Sequence, residues 1–274
     1  MKLNPELKKQ LIQVTLISFI VFLFTVSISI FIKSRQSLPN SLVTRRDNTR
    51  ISSTEKFIPN QELNEQQRFL DTINYQLKNI PSTDTYEYIL LRAYGTIFIN
   101  QNSEIKLPPK VILDNEQETE TFQQNLQLTL VEGTRECYLQ TAAAEAFNQA
   151  RSIIDIPLKS GYSGDCTRSY ATTLRFWQKY TNNSTLEQVK QGKETNILSL
   201  VAPPGTSQHL WGLALDLGVL NPAQKRALNE NGWFQTVVKD TPHWTYLGWD
   251  EESLPKFGLR DKTVQGITYW VTPI

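Results

Sequence analysis

The sequence predicts a mixed fold of helices and strands behind a membrane anchor. Residues 136–154 repeat small and apolar side chains at three- and four-residue steps, which is the period of an amphipathic helix. Leu213, Leu215 and Leu217 alternate with other residues, which is the period of a strand. Residues 11–32 form a stretch of 22 residues without a charged side chain. That is long enough to span a bilayer core, which needs about 20 residues.

The uncharged stretch is interpreted as an uncleaved anchor rather than a signal peptide. A signal peptide has a shorter apolar region, of about 7–15 residues, and ends at small residues. Ser27 and Ser29 offer only a weak cleavage site. We therefore expect a short tail at residues 1–10 and a single-pass transmembrane helix at residues 11–32, which holds the protein to the membrane.

Composition predicts a stalk and then a folded region beyond the anchor. Residues 33–60 are rich in Ser, Arg, Asn and Gln, which favours a solvated linker. Residues 61–130 are expected to form a helical and mixed N-terminal extension. Its predicted elements are helices over 60–79 and from residue 88, strands at 96–99 and 111–114, and an acidic helix after Asn115. A connecting loop is predicted over 181–203.

Net charge argues against one class of partner, and hydrophobic content indicates a folded domain. The formal net charge is +1 at pH 7, whereas a nucleic-acid-binding domain is usually strongly basic. We therefore predict no nucleic-acid partner. A hydrophobic content of 39% and an aromatic content of 10% are sufficient for a buried core.

The only two histidines of the chain each lie in a segment that supplies further metal-binding chemistry. Asp216 follows His209 by seven residues, and Asp240 precedes His243 by three. Two neutral imidazoles and one carboxylate leave a fourth position for water, with a spare carboxylate beside it. This is the composition of a catalytic zinc centre rather than of a closed structural one.

The pattern of these residues resembles the VanY-type D-alanyl-D-alanine carboxypeptidases, within the wider group of lysostaphin-like peptidases and hedgehog domains. The motif Ser-x-His-x-x-Gly-x-Ala-x-Asp is matched at each fixed position, by Ser207, His209, Gly212, Ala214 and Asp216. The resemblance implies an α+β fold, in which a small antiparallel sheet with flanking helices carries the zinc site within a catalytic domain over residues 131–274. It also implies the Zn²⁺ ligands, His209, Asp216 and His243.

Asp240 would be the general base by the same resemblance. The family usually has Glu at this position, and Asp is shorter by one methylene group. The alternative interpretation of Asp240 is a turn residue before Thr-Pro, because Asp is a common turn former.

A second part of the family pattern, Ser-Gly-Tyr-Arg-Ser, is split in this chain. Ser-Gly-Tyr occurs at residues 160–162, and Arg-Ser follows at residues 168–169. Either Ser163 has replaced the arginine, or an insertion has moved it to Arg168. We favour Arg168, because a developing oxyanion needs a fixed cationic donor. Substrate contacts are implied for Ser160, Tyr162, Ser169 and Ser207.

Cys137 and Cys166 are the only cysteines. An even number permits one disulfide outside the cytoplasm, and two unpaired thiols are the other interpretation. Neither lies beside a histidine in the motifs, which argues against a nucleophilic role.

The resemblance implies a membrane-anchored zinc D,D-carboxypeptidase that hydrolyses the terminal D-Ala-D-Ala bond of peptidoglycan stem peptides. One alternative is an endopeptidase of the same fold that cuts wall cross-links. The other is a zinc-containing wall-binding protein without turnover, which the shorter Asp240 and the split arginine segment favour.

The implied substrate and the flanking charges disagree about orientation in the membrane. A wall substrate requires the catalytic domain on the extracytoplasmic side. Lysines precede the span, but more basic residues follow it within the usual range, which favours the opposite orientation. We follow the substrate and expect a cell-membrane protein that faces outward.

Overall fold

The structure is a computed structural model that describes residues 56–274. The predicted tail, the predicted span and most of the predicted linker lie outside the described residues. Between residues 56 and 274, no helix combines the length and the apolar character needed to cross a membrane. This part of the chain is an α+β fold with small antiparallel sheets among helices, as the resemblance implies.

The regular elements are short and are numbered here in chain order. The helices are α1 (Glu65–Ile73), α2 (Tyr86–Tyr94), α3 (Glu116–Gln123), α4 (Thr141–Ile153), α5 (Tyr170–Tyr180), α6 (Asn183–Lys190) and α7 (Pro222–Glu230). The strands are β1 (Leu128–Leu130), β2 (Tyr138–Gln140), β3 (Ala214–Asp216), β4 (Trp233–Phe234), β5 (His243–Tyr246), β6 (Arg260–Val264) and β7 (Ile267–Val271). Short 3₁₀ helices lie at Gly95–Ile99, Ser163–Asp165, Asn196–Ser199, Gln208–Trp211 and Glu251–Phe257.

The sheet that organises the molecule has the order β3-β5-β4 and is antiparallel. Asp216 on β3 is paired with His243 on β5, and Leu215 is paired with Trp244. Opposite residues of antiparallel strands project on the same face of a sheet. Asp216 and His243 therefore lie side by side, while Leu215 and Trp244 contribute to the core on the other face.

One further segment joins the edge of this sheet. A single antiparallel bridge links Leu158 to Leu217, just beyond β3. The Lys159 N–H donates to the Asp216 carbonyl at 3.0 Å, and the Gly218 N–H donates to the Pro157 carbonyl at 3.0 Å. The chain that leads into the split arginine segment thus runs alongside the strand that carries Asp216.

The helix predicted over 136–154 begins later than its pattern indicates. Residues Tyr138–Gln140 form β2 and pair with β1, so α4 starts only at Thr141. Once formed, α4 buries the predicted apolar face, and the Phe147 ring lies edge-on to Trp233 at 6.0 Å between centroids. The strand pairing outweighs helix propensity because it satisfies main-chain groups that the first predicted turn would leave unpaired.

The N-terminal extension packs into the same core as the rest of the described chain. The helix predicted over 60–79 is present as the shorter α1, whose capping box is formed by Asn64 and Gln67. Phe98 lies 5.7 Å from Trp211 between ring centroids, and both side chains are fully buried. The strand β1 ends at residue 130 and pairs with β2, which follows that residue in the chain. The predicted domain boundary after residue 130 stays a prediction.

Both strands predicted in the extension are absent. Residues 96–99 lie in the 3₁₀ helix Gly95–Ile99, whose five residues are buried against helices rather than paired with a strand. Residues 111–114 form no ladder, and the Leu113 N–H makes a single bond to the Gly205 carbonyl at 2.9 Å. The predicted acidic helix after Asn115 is confirmed as α3, because the Asn115 side chain accepts from the Glu118 N–H.

The C-terminal third contains structure that periodicity did not predict. The supposed loop over 181–203 includes α6 and a 3₁₀ helix, and Asn182 caps α6 by accepting from the Thr185 N–H. The strands β6 and β7 form a hairpin whose turn residues, Gln265 and Gly266, both have positive φ. Such two-residue turns match the twist of the strands that they join.

Cys137 and Cys166 form a disulfide, with their Cα atoms 5.2 Å apart. The bond joins the chain just before β2 to the segment just before α5. It therefore ties the arginine segment to the body of the fold.

Candidate metal centre

His209, Asp216 and His243 converge on one point, although they come from three different elements. Each offers one ligand atom, and these atoms all lie within 4.8 Å of one another. His209 Nε2 is 3.4 Å from Asp216 Oδ1, and His243 Nδ1 is 3.8 Å from the same oxygen. The two imidazole rings are 5.0 Å apart between centroids and lie nearly edge to face.

The orientation of His209 is set by a main-chain carbonyl. Its Nδ1 lies 2.8 Å from the carbonyl oxygen of Cys166. A carbonyl can only accept, so Nδ1 carries the proton and Nε2 keeps its lone pair. His209 Nε2 is buried and has no hydrogen-bond partner among the described residues, which marks it as a free ligand atom.

His243 is oriented by a side chain instead. Its Nε2 lies 2.7 Å from Gln208 Oε1, while Gln208 Nε2 donates to the Tyr94 carbonyl at 2.9 Å. The second contact fixes which end of the amide faces the imidazole. His243 therefore donates through Nε2 and presents Nδ1 to Asp216. Thr245 also donates to Gln208 Oε1, at 2.9 Å, so that this oxygen accepts twice.

Asp216 connects the histidines to Arg168. One carboxylate oxygen, Oδ1, faces both imidazoles, while Oδ2 accepts from Arg168 at 2.5 Å. Burial by itself would raise the pKa of Asp216. The adjacent imidazoles and the guanidinium outweigh it and hold that pKa well below its usual range. Asp216 is thus an ionised carboxylate at neutral pH.

These three residues fit a divalent metal ion. Burial and the nearby cation of Arg168 lower the pKa of His209, and burial together with His209 lowers the pKa of His243 to about 3. Both rings are therefore neutral at pH 7, and each has its free nitrogen aimed at Asp216. A histidine that ligates a metal usually donates its other nitrogen to a protein acceptor, as both do here. Two imidazoles and one carboxylate are a donor set that several divalent transition metals accept.

The arginine segment brings Arg168 to this centre. Besides the contact with Asp216, its Nε donates to the Gly164 carbonyl at 2.5 Å. The guanidinium lies 4.9 Å from the centroid of the Phe176 ring. Its main-chain N–H donates to the His209 carbonyl at 3.1 Å, which fixes the start of the side chain.

Asp240 lies in the same cleft on the turn before β5. Its main-chain N–H donates to the Val237 carbonyl, and its carbonyl accepts from the His243 N–H, each at 3.1 Å. Burial and the charge of Asp216 raise the pKa of its carboxyl group to about 7, although Lys159 and Arg168 partly oppose the shift. Asp240 is therefore a turn residue and also lines the cleft that contains the three candidate ligands.

The cleft above the three ligands has a volume of about 130 Å³. Its charged lining residues besides Asp216 are Lys159, Arg168 and Asp240. Its apolar and aromatic lining includes Phe176, Tyr180, Leu198, Leu200 and Val201.

Only one of the four residues with implied substrate contacts lines this cleft. Ser207 is buried in its wall. Ser160 donates to Asp165 at 2.8 Å, and Ser169 caps α5 by accepting from the Thr172 N–H. Tyr162 is 76% exposed and outside the lining of the cleft. A role in substrate binding stays a prediction for all four.

The structure also shows residues that the motifs did not single out. Gln208 occupies a variable position of the first motif, yet it orients His243. Lys159 precedes the split segment and lines the cleft. Asp165 accepts from the main-chain N–H groups of Ser160 and Gly161, so its carboxylate shapes the inserted loop. The sequence contained a usable signal for Gln208, because it is a polar residue next to the candidate ligand His209. The place of Lys159 depends on long-range strand pairing, and that of Asp165 depends on the shape of the inserted loop.

Residues 123–248 match a known protein family, described as VanY, D-alanyl-D-alanine carboxypeptidase. The matched segment contains all three candidate ligands as well as Arg168 and Asp240. A comparison with curated proteins gave no significant match.

Two solved structures show limited overall similarity. One is the vancomycin-resistance D,D-dipeptidase VanXYg in complex with a D-Ala-D-Ala phosphinate analogue. Its sequence is 16% identical to this one, and the match covers 51% of this chain and 70% of the VanXYg chain, with a TM-score of 0.32. The other is the LD-carboxypeptidase LdcB, which is 17% identical and covers 49% of this chain and 70% of its own, with a TM-score of 0.28.

Proposed function

Because residues 123–248 match the VanY D-alanyl-D-alanine carboxypeptidase family, we propose that this protein is a zinc D,D-carboxypeptidase. It hydrolyses the terminal D-Ala-D-Ala bond of peptidoglycan stem peptides. The observation that carries the proposal is the convergence of His209, Asp216 and His243, each with a free ligand atom, in the floor of a cleft.

Zinc is the metal that we propose for this donor set. Neighbouring ligands of a tetrahedral zinc ion lie about 3.3–3.6 Å apart, given bond lengths of about 2.0–2.2 Å. The separations of 3.4 and 3.8 Å from Asp216 Oδ1 to the two imidazoles are close to that range. When bound, the ion would supply Lewis-acid activation of a water molecule and of the scissile carbonyl.

Asp240 is the proposed general base. Its carboxyl pKa of about 7 is near the pH at which a group both accepts and returns a proton efficiently. It takes the proton of the attacking water and then delivers it to the nitrogen of the departing D-alanine. A bound cation would lower this raised pKa and favour the ionised, proton-accepting form.

Arg168 is the proposed stabiliser of the developing oxyanion. A guanidinium has five N–H donors, and Arg168 uses one for Gly164 and one for Asp216. The remaining donors are available to substrate. Because the Asp216 contact and the Phe176 ring fix the plane of the group, it needs little reorganisation during reaction.

Cellular location is part of the proposal. Disulfides persist mainly outside the reducing cytosol, and Cys137 is bonded to Cys166. We propose that residues 11–32 anchor the chain in the cell membrane and that the catalytic domain faces the wall. Protease accessibility of the domain on intact cells tests this orientation.

The decisive experiment combines metal analysis with a D-Ala release assay on the full chain in detergent. The substrate is a pentapeptide stem that ends in D-Ala-D-Ala. His209→Ala is expected to lose both the metal and the release of D-alanine. Asp240→Asn is expected to keep the metal and to lose release by about 10²- to 10⁴-fold, the usual contribution of a general base.

Asp84→Asn on the exposed surface is the matched control for the loss of a carboxylate and should behave as wild type. Release that is unchanged in His209→Ala would overturn the metal mechanism. Metal bound without release from any stem peptide would favour the wall-binding alternative.

A further inference from the structure

Lys159 belongs to a row of side chains that crosses the sheet. The bridge between Leu158 and Leu217 places Lys159 directly opposite Asp216, and Asp216 is directly opposite His243. Directly opposite residues share a face, with neighbouring strands about 4.8 Å apart. The side chain of Lys159 therefore starts on the face that carries two of the three metal ligands, one strand away from Asp216.

The charge of Lys159 is uncommitted, in contrast to that of Arg168. Arg168 makes an ion pair with Asp216 and donates to Gly164. Lys159 is exposed and lines the cleft, and no carboxylate in residues 56–274 lies within ion-pair distance of its ammonium. It is still near enough to Asp240 to oppose the rise in the pKa of that carboxyl group, which burial and Asp216 cause.

We infer that Lys159 binds the carboxylate at the C-terminus of the substrate and thereby selects chain ends over internal bonds. This inference rests on the proposed function. A carboxypeptidase substrate differs from a cross-link substrate in having a free carboxylate on the departing residue, where a cross-link has an amide.

The position of that carboxylate is fixed by covalent geometry. The carboxylate carbon of the departing residue lies about 2.5 Å from the nitrogen that receives the proton, since both are bonded to one Cα. The group that anchors the carboxylate must therefore lie next to the group that protonates the nitrogen. Lys159 meets this requirement, because it lines the same cleft as Asp240 and its charge acts on the Asp240 carboxyl group.

The flexibility of lysine also suits the task. Its ammonium is a compact charge on a four-carbon stem, which can follow the carboxylate as the peptide bond breaks. Arg168 is pinned by its contacts and suits the oxyanion, which develops at a fixed point. The two cations of the cleft thus have separate tasks.

The test measures binding and cleavage of matched substrates, one with a free C-terminal D-alanine and one with D-alaninamide. Binding is measured by calorimetry on the zinc-loaded full chain in the Asp240→Asn background, where turnover does not interfere. The parent is expected to prefer the free acid. Adding Lys159→Met should weaken binding of the acid by about tenfold to a hundredfold, the value of one hydrogen bond between charged groups, and should reduce the preference for the acid over the amide.

Lys159→Arg should restore most of the preference, because it keeps the charge. Lys225→Met on α7 lies outside the cleft and is the matched control, with an expected preference equal to that of the parent. In the catalytically intact chain, Lys159→Met should act mainly on KM for the free acid, with unchanged zinc content.

An acid preference that persists in Lys159→Met, or a parent that binds acid and amide equally, overturns the inference. The proposed function fails separately, when the wild-type chain binds zinc and releases D-alanine from no stem peptide. Release of D-alanine together with a persistent acid preference in Lys159→Met would keep the proposed function and reject only the role of Lys159.

Discussion

Each histidine of the candidate centre has one ring nitrogen with a free lone pair, but the two rings are oriented by different regions of the molecule. His209 donates to a main-chain carbonyl, that of Cys166, which the disulfide to Cys137 holds in place. His243 donates to a side chain, that of Gln208, which is held by the Tyr94 carbonyl at the end of α2. One support is covalent and local to the arginine segment, and the other reaches back into the N-terminal extension. The two candidate histidine ligands thus depend on two distant parts of the chain for their orientation.

Removal of the disulfide is expected to have the largest effect. The bond closes a sequence separation of 29 residues, and a native disulfide of this kind contributes about 2–4 kcal/mol to stability. The double variant Cys137→Ser, Cys166→Ser should lower the free energy of unfolding by that amount in a denaturant titration. It should also weaken metal binding, because the acceptor of His209 gains freedom.

Reduction of the wild-type disulfide is the control and should reproduce both changes. Metal affinity equal to that of the oxidised wild type, in a variant that is less stable, would show that the carbonyl of Cys166 stays in place without the bond. The disulfide would then have no part in orienting His209.

The support of His243 is tested by Gln208→Leu. Loss of a group that orients a metal ligand costs about 10- to 100-fold in metal affinity. Gln208→Glu keeps an acceptor for His243 Nε2 and loses the donor to Tyr94, so its loss should be smaller. Zinc titration of the metal-free protein gives the affinity, and ¹⁵N NMR of the imidazoles reports which nitrogen of His243 carries the proton.

Gln117→Leu on the exposed surface of α3 is the matched control and should leave the affinity unchanged. An unaltered tautomer and affinity in Gln208→Leu would mean that β5 alone orients His243. The contact to the extension would then be incidental.

Asp240 differs from the two histidines, whose rings are held by hydrogen bonds, because its carboxylate accepts no hydrogen bond from residues 56–274. Its pKa is raised to about 7 in the folded, metal-free protein and is near 3.9 in an unfolded chain. The folded state therefore binds the proton more tightly between these values, and stability falls as pH rises through this window. Asp240→Asn should remove that loss, so that the variant gains about 1.4 kcal/mol on the wild type for each pH unit between these two pKa values.

Thermal unfolding of both metal-free proteins across this pH range measures the difference, and Asp84→Asn provides the baseline. A constant difference between Asp240→Asn and wild type would show that the Asp240 pKa is near its ordinary value. The cleft would then be wetter than its burial indicates.

The parts of the site on the sheet were predictable, and those on the loops were not. A strand alternates its side chains with a period of two, so spacing within the motif was sufficient to put Asp216 on a face apart from Leu215. The inserted loop offers no such period. Its shape depends on Asp165, which accepts from the N–H groups of Ser160 and Gly161, so the sequence alone could not place the Arg168 side chain beside Asp216.

The errors in the fold have the same cause. The segment 96–99 is apolar and was expected to be a strand, but it is buried as a 3₁₀ helix, because no strand lies beside it. The helix expected from residue 136 loses its first turn to pairing with β1. Apolar periodicity reports which residues are buried, whereas the partner of a main-chain group is decided elsewhere in the chain.

The amino-acid sequence by itself indicated the chemistry of the candidate site, since two histidines, one carboxylate and their spacing predicted a group of side chains that could bind a metal ion. The tertiary structure alone decided which nitrogen of each ring is free, which cation of the cleft is paired with a carboxylate and which one has no ion-pair partner within residues 56–274. Those properties arise from contacts between residues up to 114 positions apart, such as Gln208 with Tyr94. Local spacing carries no information about such contacts, because they exist only after distant segments have packed together.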